Sequence, residues 1–143
     1  MSDAHEQIRT LLGRYCHLMD AGDFAGLAEL FADAQLADEH GSVFARGSDE
    51  VIAMWSAQTI LYGDSPRTRH VTANPVVDVD GNTATCTSSY VVFQGVDDFP
   101  LQPIVTGRYA DTFARDEAGH WHWTERRYAL DHVGDLSHHL RGS

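Results

Sequence analysis

The sequence predicts a single α+β domain, in which N-terminal helices are followed by a long antiparallel sheet. Apolar residues recur at helical spacing in the first part of the chain, and from Arg67 onward they alternate with the period of β-strands. The length of 143 residues suits one domain with one hydrophobic core. Because no repeat, linker or low-complexity segment interrupts this pattern, residues 1–143 form one predicted domain, with residues 133–143 as a C-terminal tail.

Two helices are predicted near the N-terminus. Residues 3–21 carry apolar side chains at the i, i+3, i+4, i+7 spacing of a helix with one buried face. Ala21-Gly22 ends this helix, and Asp23 is suited to cap a second, shorter one. The buried faces of the two helices are expected to hold Ile8, Leu11, Leu12, Tyr15, Leu18, Met19, Phe24, Leu27, Leu30 and Phe31.

A third helix is predicted after a short extended stretch at residues 42–46. Ser48 is suited to its N-cap, and Asp49 and Glu50 are suited to the positive end of the helix dipole. The inner face of this helix is expected to hold Val51, Ile52, Trp55, Thr59 and Tyr62.

The second half of the chain predicts four strands joined as a meander. Pro75 in the first of them is typical of an edge strand or a bulge, and the sequence at residues 80–82, Asp-Gly-Asn, predicts a turn. Trp121 and Trp123 share one face of the last strand because side chains alternate along a strand. A sheet this large for its length is expected to curl around the helices. The predicted strands are residues 67–79, 83–93, 105–115 and 120–130.

The charge of the chain limits its partners. A formal net charge of −11 argues against nucleic acid, whose phosphates need a basic surface, and disfavours anionic membranes. No apolar run approaches the roughly 20 residues that a membrane span requires. Residues 1–6 are polar and acidic, unlike a signal peptide, so a cytoplasmic location is expected. A small molecule or another protein is left as the partner.

The sequence predicts neither a metal site nor a cofactor. Cys16 and Cys86 form no CxxC pair and are expected to be buried thiols. No GxGxxG or Walker pattern occurs, so no nucleotide cofactor is expected. His120 and His122 share a strand face, but no third ligand accompanies them at metal-binding spacing. His132, His138 and His139 crowd the C-terminus, and the two tail histidines, His138 and His139, are expected to be solvated.

Three segments resemble the SnoaL-like, NTF2-related superfamily, and the likeness extends over residues 5–132. They are the run from Tyr15 to Phe24 with Leu27 and residues 30–33, the pair Arg69-His70 with Asn74, and the closing strands with Gly107-Arg108-Tyr109, Gly119-His120-Trp121 and Arg126-Arg127. The resemblance implies a cone-shaped α+β barrel, whose curved mixed or antiparallel sheet packs on N-terminal helices around an apolar pocket. It does not fix an activity, because the superfamily includes dehydratases, isomerases, cyclases, epoxide hydrolases and non-catalytic subunits.

In its site residues the chain is most similar to scytalone dehydratase, lindane dehydrochlorinase and bile-acid 7α-dehydratase. Asp20 ends the first helix and His70 opens the first long strand, as the His–Asp pair does in those enzymes. Tyr15 matches a tyrosine of the bile-acid enzyme. Arg127 matches an arginine on the last strand of two of them, although the adjacent Arg126 is an alternative.

The resemblance implies a role for each of these residues. His70 would remove a proton, since imidazole titrates near neutral pH, and Asp20 would orient its ring. Tyr15 would polarise a carbonyl or assist a departing hydroxyl, and Arg127 would stabilise an enolate or a leaving anion. Purely structural roles are the alternative: a hydrogen-bonded strand histidine, a solvated aspartate at a helix end, a core tyrosine and a surface ion pair.

The resulting hypothesis is a cofactor-independent lyase, of the dehydratase type, that acts on a hydrophobic cyclic substrate such as a polyketide, steroid or aromatic metabolite. An isomerase or cyclase that uses the same pair is an alternative, as is a non-catalytic ligand-binding or dioxygenase small-subunit-like module. The resemblance also implies a homodimer or homotrimer. The substrate pocket is expected to be lined by Tyr15, Met19, Trp55, Val71, Tyr90, Phe93, Tyr109 and Trp123.

Overall fold

The computed structural model describes residues 3–143 and has the predicted α+β architecture. Met1 and Ser2 lie outside the described residues. Both belong to the predicted domain and to the polar N-terminal stretch, residues 1–6, that was compared with a signal peptide. The helices are α1 (Ala4–Ala21), α2 (Phe24–Glu29) and α3 (Gly47–Gln58). The strands are β1 (Gln35–Asp38), β2 (Val43–Arg46), β3 (Thr68–Asp80), β4 (Thr83–Val96), β5 (Phe99–Arg115) and β6 (Trp121–Val133).

The strands form one mixed sheet of six, in the order β2-β1-β6-β5-β4-β3. β1 runs parallel to β6, and every other neighbouring pair is antiparallel. The sequence predicted four long strands and missed β1, because four residues are too few to show a period of two. Irregularities in register along β3, β4, β5 and β6 bend the strands. The curved sheet therefore wraps around the helices, as predicted.

The ends of α1 follow the predicted capping chemistry. The carboxylate of Asp3 accepts a hydrogen bond from the backbone N–H of Glu6 at 2.8 Å. Gly22 ends the helix with φ +72°, and a Cβ there would lie 2.2 Å from the carbonyl oxygen of Asp64. Only glycine fits this position, so the chain turns sharply into α2, which is capped by Asp23 as predicted.

The start of α3 differs from the prediction. The helix begins at Gly47, so Ser48 is its second residue and not its N-cap. The N-cap is Arg46, whose backbone N–H donates to the carboxylate of Glu50 at 2.9 Å. This bond reaches back from the first turn to the N-cap residue, as the acidic side chain of a capping box does, whereas no side chain caps the first N–H groups of the helix. The helix also ends at Gln58, before the Thr59 that was expected on its inner face.

The predicted edge position of Pro75 is confirmed. β3 is the last strand of the sheet, and its pairing with β4 is interrupted between Ala73 and Val76. A proline has no N–H to donate, so it is tolerated at such a break. The buried apolar residues form two clusters. One lies between α1 and the sheet around Phe31 and Trp123, and the other lies among β4, β5 and β6 around Tyr90 and Tyr109.

Residues 134–141, here named the closing segment, fold back after β6 and cover the second cluster. The backbone of this segment pairs with the chain just after α3, where Thr59 bridges Leu140 and the N–H of Ile60 donates to the carbonyl of His139 at 2.8 Å. The buried amide of Gln94 donates to the carbonyl of His138 at 3.0 Å. The predicted tail is therefore packed structure, because these backbone groups find hydrogen-bond partners.

No helix within residues 3–143 is both long and apolar enough to cross a membrane.

Candidate active site

The structure brings His70 and Asp20 into direct contact. Nδ1 of the His70 ring lies 2.6 Å from Oδ1 of Asp20, and the two side chains are only 7% and 13% exposed. An ionised carboxylate only accepts hydrogen bonds, so the ring proton sits on Nδ1 and the lone pair on Nε2. Among residues 3–143, no hydrogen-bond partner lies at Nε2, which leaves this atom free for a ligand.

Asp20 is held by more than the histidine ring. Its carboxylate also accepts the hydroxyl of Thr68 at 2.9 Å and the backbone N–H of His70 at 2.9 Å. The last turn of α1 presents the carboxylate and the start of β3 presents the donors, so the contact forms where these two elements cross. With three donors around it, the carboxylate cannot rotate freely. It therefore fixes both the position and the tautomer of the imidazole.

His70 lies on the wall of a cavity of about 120 Å³ between the sheet, α1 and the closing segment. The wall is largely apolar, with tyrosine, tryptophan and histidine side chains supplying its polar atoms. It is formed by Tyr15, Trp55, His70, Tyr90, Val92, Val105, Tyr109, Tyr128, Leu130, Leu136, His139 and Leu140.

Tyr15 is part of this wall. It projects from the buried face of α1, and its hydroxyl lies 2.9 Å from the hydroxyl of Tyr128 on β6. Burial raises the pKa of Tyr15, while the nearby positive charge of Arg126 opposes that rise. The hydroxyl of Tyr15 is therefore protonated at neutral pH and can donate one hydrogen bond, either to Tyr128 or to a ligand.

The arginine near the cavity is Arg126. The prediction that Arg127 takes this position is wrong. The Arg126 side chain is fully buried, with its guanidinium 4.2 Å from the ring centre of Tyr15 and its Nε 2.9 Å from a carboxylate oxygen of Asp111. Arg127 is 42% exposed, lies on the opposite face of the sheet and pairs with Glu125 at 2.6 Å.

A bulge in β6 explains which arginine is buried. Thr112 pairs with Glu125 and the next residue, Phe113, pairs with Trp123, so Thr124 is an extra residue in β6. Strict alternation from the buried Trp123 would bury residues 125 and 127. The extra residue shifts the alternation by one, which turns Arg126 toward the interior.

Of the eight residues that the sequence assigned to the pocket, four line this cavity: Tyr15, Trp55, Tyr90 and Tyr109. Val71 and Phe93 follow the cavity residues His70 and Val92 directly, so strand alternation turns their side chains away from this cavity. Met19 and Trp123 are fully buried in the first cluster, where Trp123 packs on Phe31 with ring centres 4.8 Å apart.

The sequence did not point to Tyr128 or to His139. Tyr128 has no usable signal, because strict alternation from Trp123 would turn it to the other face, and only the extra residue Thr124 places it on the face of Arg126. His139 has none, because its burial depends on the closing segment. The expectation that His139 is solvated is wrong: this residue is 4% exposed, and its ring centre lies 6.2 Å from that of His70.

Burial of His139 predicts a pH dependence of stability. Burial and the neighbouring His70 lower the pKa of His139 to about 4, although Asp20 opposes this. The unfolded chain binds this proton below about pH 6.5, and the folded chain binds it only below about pH 4. Between these values lower pH favours unfolding, so stability is present above pH 6.5 and decreases toward pH 4.

From about pH 7.5 to about pH 5, His139 alone is expected to lower the free energy of unfolding by about 2 kcal/mol. Urea unfolding of the unmodified chain and of His139→Leu at both pH values measures this contribution. The variant lacks the titrating group, so it is expected to lose less stability on acidification. Equal losses in the two proteins would contradict the prediction.

No cluster of three or more histidine, cysteine or acidic side chains suited to a metal ion occurs within residues 3–143.

A curved mixed sheet that encloses an apolar cavity together with N-terminal helices defines an α+β cone of the NTF2-like class. Comparison with known families gives a match to the SnoaL-like domain over residues 1–127. The chain belongs to the SnoaL-like domain family. A comparison with curated proteins gives no match.

Solved structures with the same fold agree with this assignment. Rv3472, a protein of unknown function from Mycobacterium tuberculosis, is 26% identical over 89% of this chain and 71% of its own, with a TM-score of 0.73. An NTF2-like protein with a cystatin-like fold from Novosphingobium aromaticivorans is 29% identical over 88% of this chain and 80% of its own, with a TM-score of 0.71. ActVI-ORFA from Streptomyces coelicolor is similar in fold, at 19% identity over 90% of this chain and 98% of its own, with a TM-score of 0.74.

Proposed function

We propose that this protein is a cofactor-independent lyase of the dehydratase type, with His70 as its base and Asp20 as the residue that orients the base. The observation that carries the proposal is the 2.6 Å contact between Nδ1 of His70 and Oδ1 of Asp20 on the wall of an apolar cavity. This is the geometry that general-base catalysis requires, because the second ring nitrogen then offers its lone pair to the substrate.

The proposed reaction removes water from a cyclic β-hydroxy ketone. Nε2 of His70 takes a proton from the carbon beside the carbonyl, and the electron pair of that C–H bond forms an enolate. The enolate then re-forms the carbonyl, the double bond shifts to the ring, and the C–O bond to the β-hydroxyl breaks. The departing oxygen takes a proton from the His70 imidazolium and leaves as water, so the base is regenerated.

Tyr15 and Arg126 support negative charge during this reaction. The hydroxyl of Tyr15, a residue of the cavity wall, donates a hydrogen bond to the developing anion or to the departing hydroxyl. Arg126 lies behind the Tyr15 ring and does not line the cavity, so it acts through the tyrosine as a positioning residue. This assigns to Arg126 the electrostatic role that the resemblance implied for Arg127.

The cavity restricts the size of the substrate. Its volume of about 120 Å³ is close to the roughly 150 Å³ of an engineered cavity that binds benzene. The substrate is therefore limited to about one small ring while the closing segment is in place. A substrate with several fused rings, such as a steroid, requires Leu136, His139 and Leu140 to move outward.

The test measures two reactions of the unmodified chain. A panel of monocyclic β-hydroxy ketones, beginning with β-hydroxycyclohexanone, is followed by the ultraviolet absorbance of the conjugated enone. Exchange of the α-protons of cyclohexanone in D₂O is followed by NMR, and it detects proton abstraction without a leaving group. Both rates are expected to fall about 10³-fold in His70→Gln, since that change removes the base.

The exposed His120 provides the matched control, and His120→Gln is expected to leave both rates unchanged. Retention of the full rates by His70→Gln would overturn the proposed mechanism. Exchange without elimination across the panel would favour an isomerase or cyclase that uses the same base. Absence of both reactions would favour a ligand-binding module.

A further inference from the structure

Besides His70, two residues of the cavity wall each carry a buried polar atom that has no hydrogen-bond partner within residues 3–143. These groups are the indole Nε1–H of Trp55 and Nδ1 of His139. A buried polar group without a partner costs stability, so native structures rarely keep one without a reason. Two such groups on the wall of one small cavity are explained if a ligand supplies the missing partner.

The hydrogen-bonding capacity of Trp55 and His139 determines which kind of ligand atom can pair with them. The indole nitrogen of Trp55 only donates a hydrogen bond, so the atom opposite must be an acceptor. Burial and the neighbouring His70 lower the pKa of His139 to about 4, and its imidazole is therefore neutral at physiological pH. A neutral imidazole also donates a hydrogen bond, and it polarises a carbonyl without carrying a charge.

The two residues belong to chain segments that are tied together. Trp55 lies on the last turn of α3, and the chain just after α3 pairs with the closing segment through Thr59 and Leu140. His70 lies on the same cavity wall, with its ring centre 6.2 Å from that of His139. One ligand in this cavity can therefore contact all three residues.

We propose that Trp55 and His139 bind the carbonyl oxygen of the substrate while His70 faces the carbon beside it. Binding of a cyclic ketone by these donors is independent of turnover, whereas their effect on the rate rests on the proposed function. The substrate is thereby assigned to carbonyl compounds. His139 becomes a catalytic residue contributed by the closing segment, outside the stretch of residues 5–132 in which the sequence resembles the superfamily.

The test compares two ligands of nearly equal shape, cyclohexanone and methylenecyclohexane, of which only the ketone has a good acceptor. Dissociation constants are measured by NMR titration of the unmodified chain, Trp55→Phe, His139→Leu and the double variant. Each single change is expected to weaken cyclohexanone binding about tenfold, the loss of one hydrogen bond, and to leave methylenecyclohexane binding unchanged. The double variant is expected to lose less than the product of the two effects if both donors share one oxygen.

The melting temperature of His139→Leu distinguishes the proposed role from a purely structural one. Removal of its unpartnered nitrogen in His139→Leu is expected to raise Tm by a few degrees while ketone binding weakens. His138→Leu is the matched control, because His138 stacks on Phe99 outside the cavity wall, and it is expected to leave ketone binding unchanged. His139→Gln retains a donor and is expected to recover part of the affinity.

The proposal is overturned if cyclohexanone fails to bind the unmodified chain, or if it binds Trp55→Phe and His139→Leu as tightly as the unmodified chain. The outcome is separable from that for the proposed function, because α-proton exchange is measured on the same samples. Ketone binding that depends on both donors without any exchange would refute His70 as a base and leave this inference standing. Exchange that persists in both variants with unchanged ketone affinity would refute this inference and leave His70 standing as the base.

Discussion

Replacement of Arg126 by methionine is expected to lower the free energy of unfolding by about 3–5 kcal/mol. The guanidinium of Arg126 and the carboxylate of Asp111 are both 0% exposed and lie 2.9 Å apart, so the variant leaves a buried carboxylate without its counter-ion. The ring of Tyr109 also loses the cation that now lies 3.4 Å from its centre. Urea unfolding at neutral pH, followed by tryptophan fluorescence, measures the loss.

Two variants separate burial of charge from loss of packing. Adding Asp111→Asn to Arg126→Met removes the stranded charge and keeps an acceptor for the indole N–H of Trp123, which donates to Asp111 at 3.0 Å. This double variant is expected to recover much of the stability. Arg127→Met breaks an exposed pair and is expected to cost less than about 1 kcal/mol. Equal losses in Arg126→Met and Arg127→Met would show that burial of the Arg126–Asp111 pair does not matter.

Replacement of Asp20 by asparagine is expected to lower the rates of α-proton exchange and elimination by about 10³- to 10⁴-fold, while the fold is retained. The amide has one acceptor oxygen for the hydroxyl of Thr68 and the backbone N–H of His70, which now bind the carboxylate. Its NH₂ group then faces Nδ1 of His70, which must act as an acceptor. The ring proton moves to Nε2, and the lone pair needed for proton abstraction is no longer in the cavity.

The tautomer can be measured directly. The ¹⁵N chemical shifts of the His70 ring distinguish protonation at Nδ1 from protonation at Nε2. In Asp20→Asn the shifts of the two nitrogens are expected to trade places. Asp23→Asn, which retains an N-cap for α2, is the matched control and is expected to change neither rate nor tautomer. An Asp20→Asn protein with full activity and the original tautomer would remove Asp20 from the proposed mechanism.

Much of the fold was predictable because it depends on local sequence. The i, i+3, i+4 spacing placed the buried face of α1, and Gly22 and Asp23 marked the junction with α2. Alternation placed four of the six strands and the shared face of Trp121 and Trp123. β1 was missed because it is short, and its parallel pairing with β6 joins segments about 90 residues apart in the sequence.

The contact between His70 and Asp20 was only partly predictable from the sequence. Position on a helical wheel left Asp20 at the edge of the apolar face, and only the resemblance placed it inward. In the structure it turns inward because three donors from the start of β3 surround it. Those donors are brought to the end of α1 by packing of the helix against the sheet, which no local pattern contains.

The sequence by itself determined the α+β class, the ends of α1, the start of α2 and most of the strands, because each depends on neighbours within a few positions. Only the tertiary structure decided that Arg126 and not Arg127 is buried, because one extra residue in β6 reverses the strand's alternation. It also decided that His139 lies beside His70. That contact depends on residues 134–141 folding back onto the chain after α3, and the hydrogen bonds that hold them there join residues far apart in the sequence.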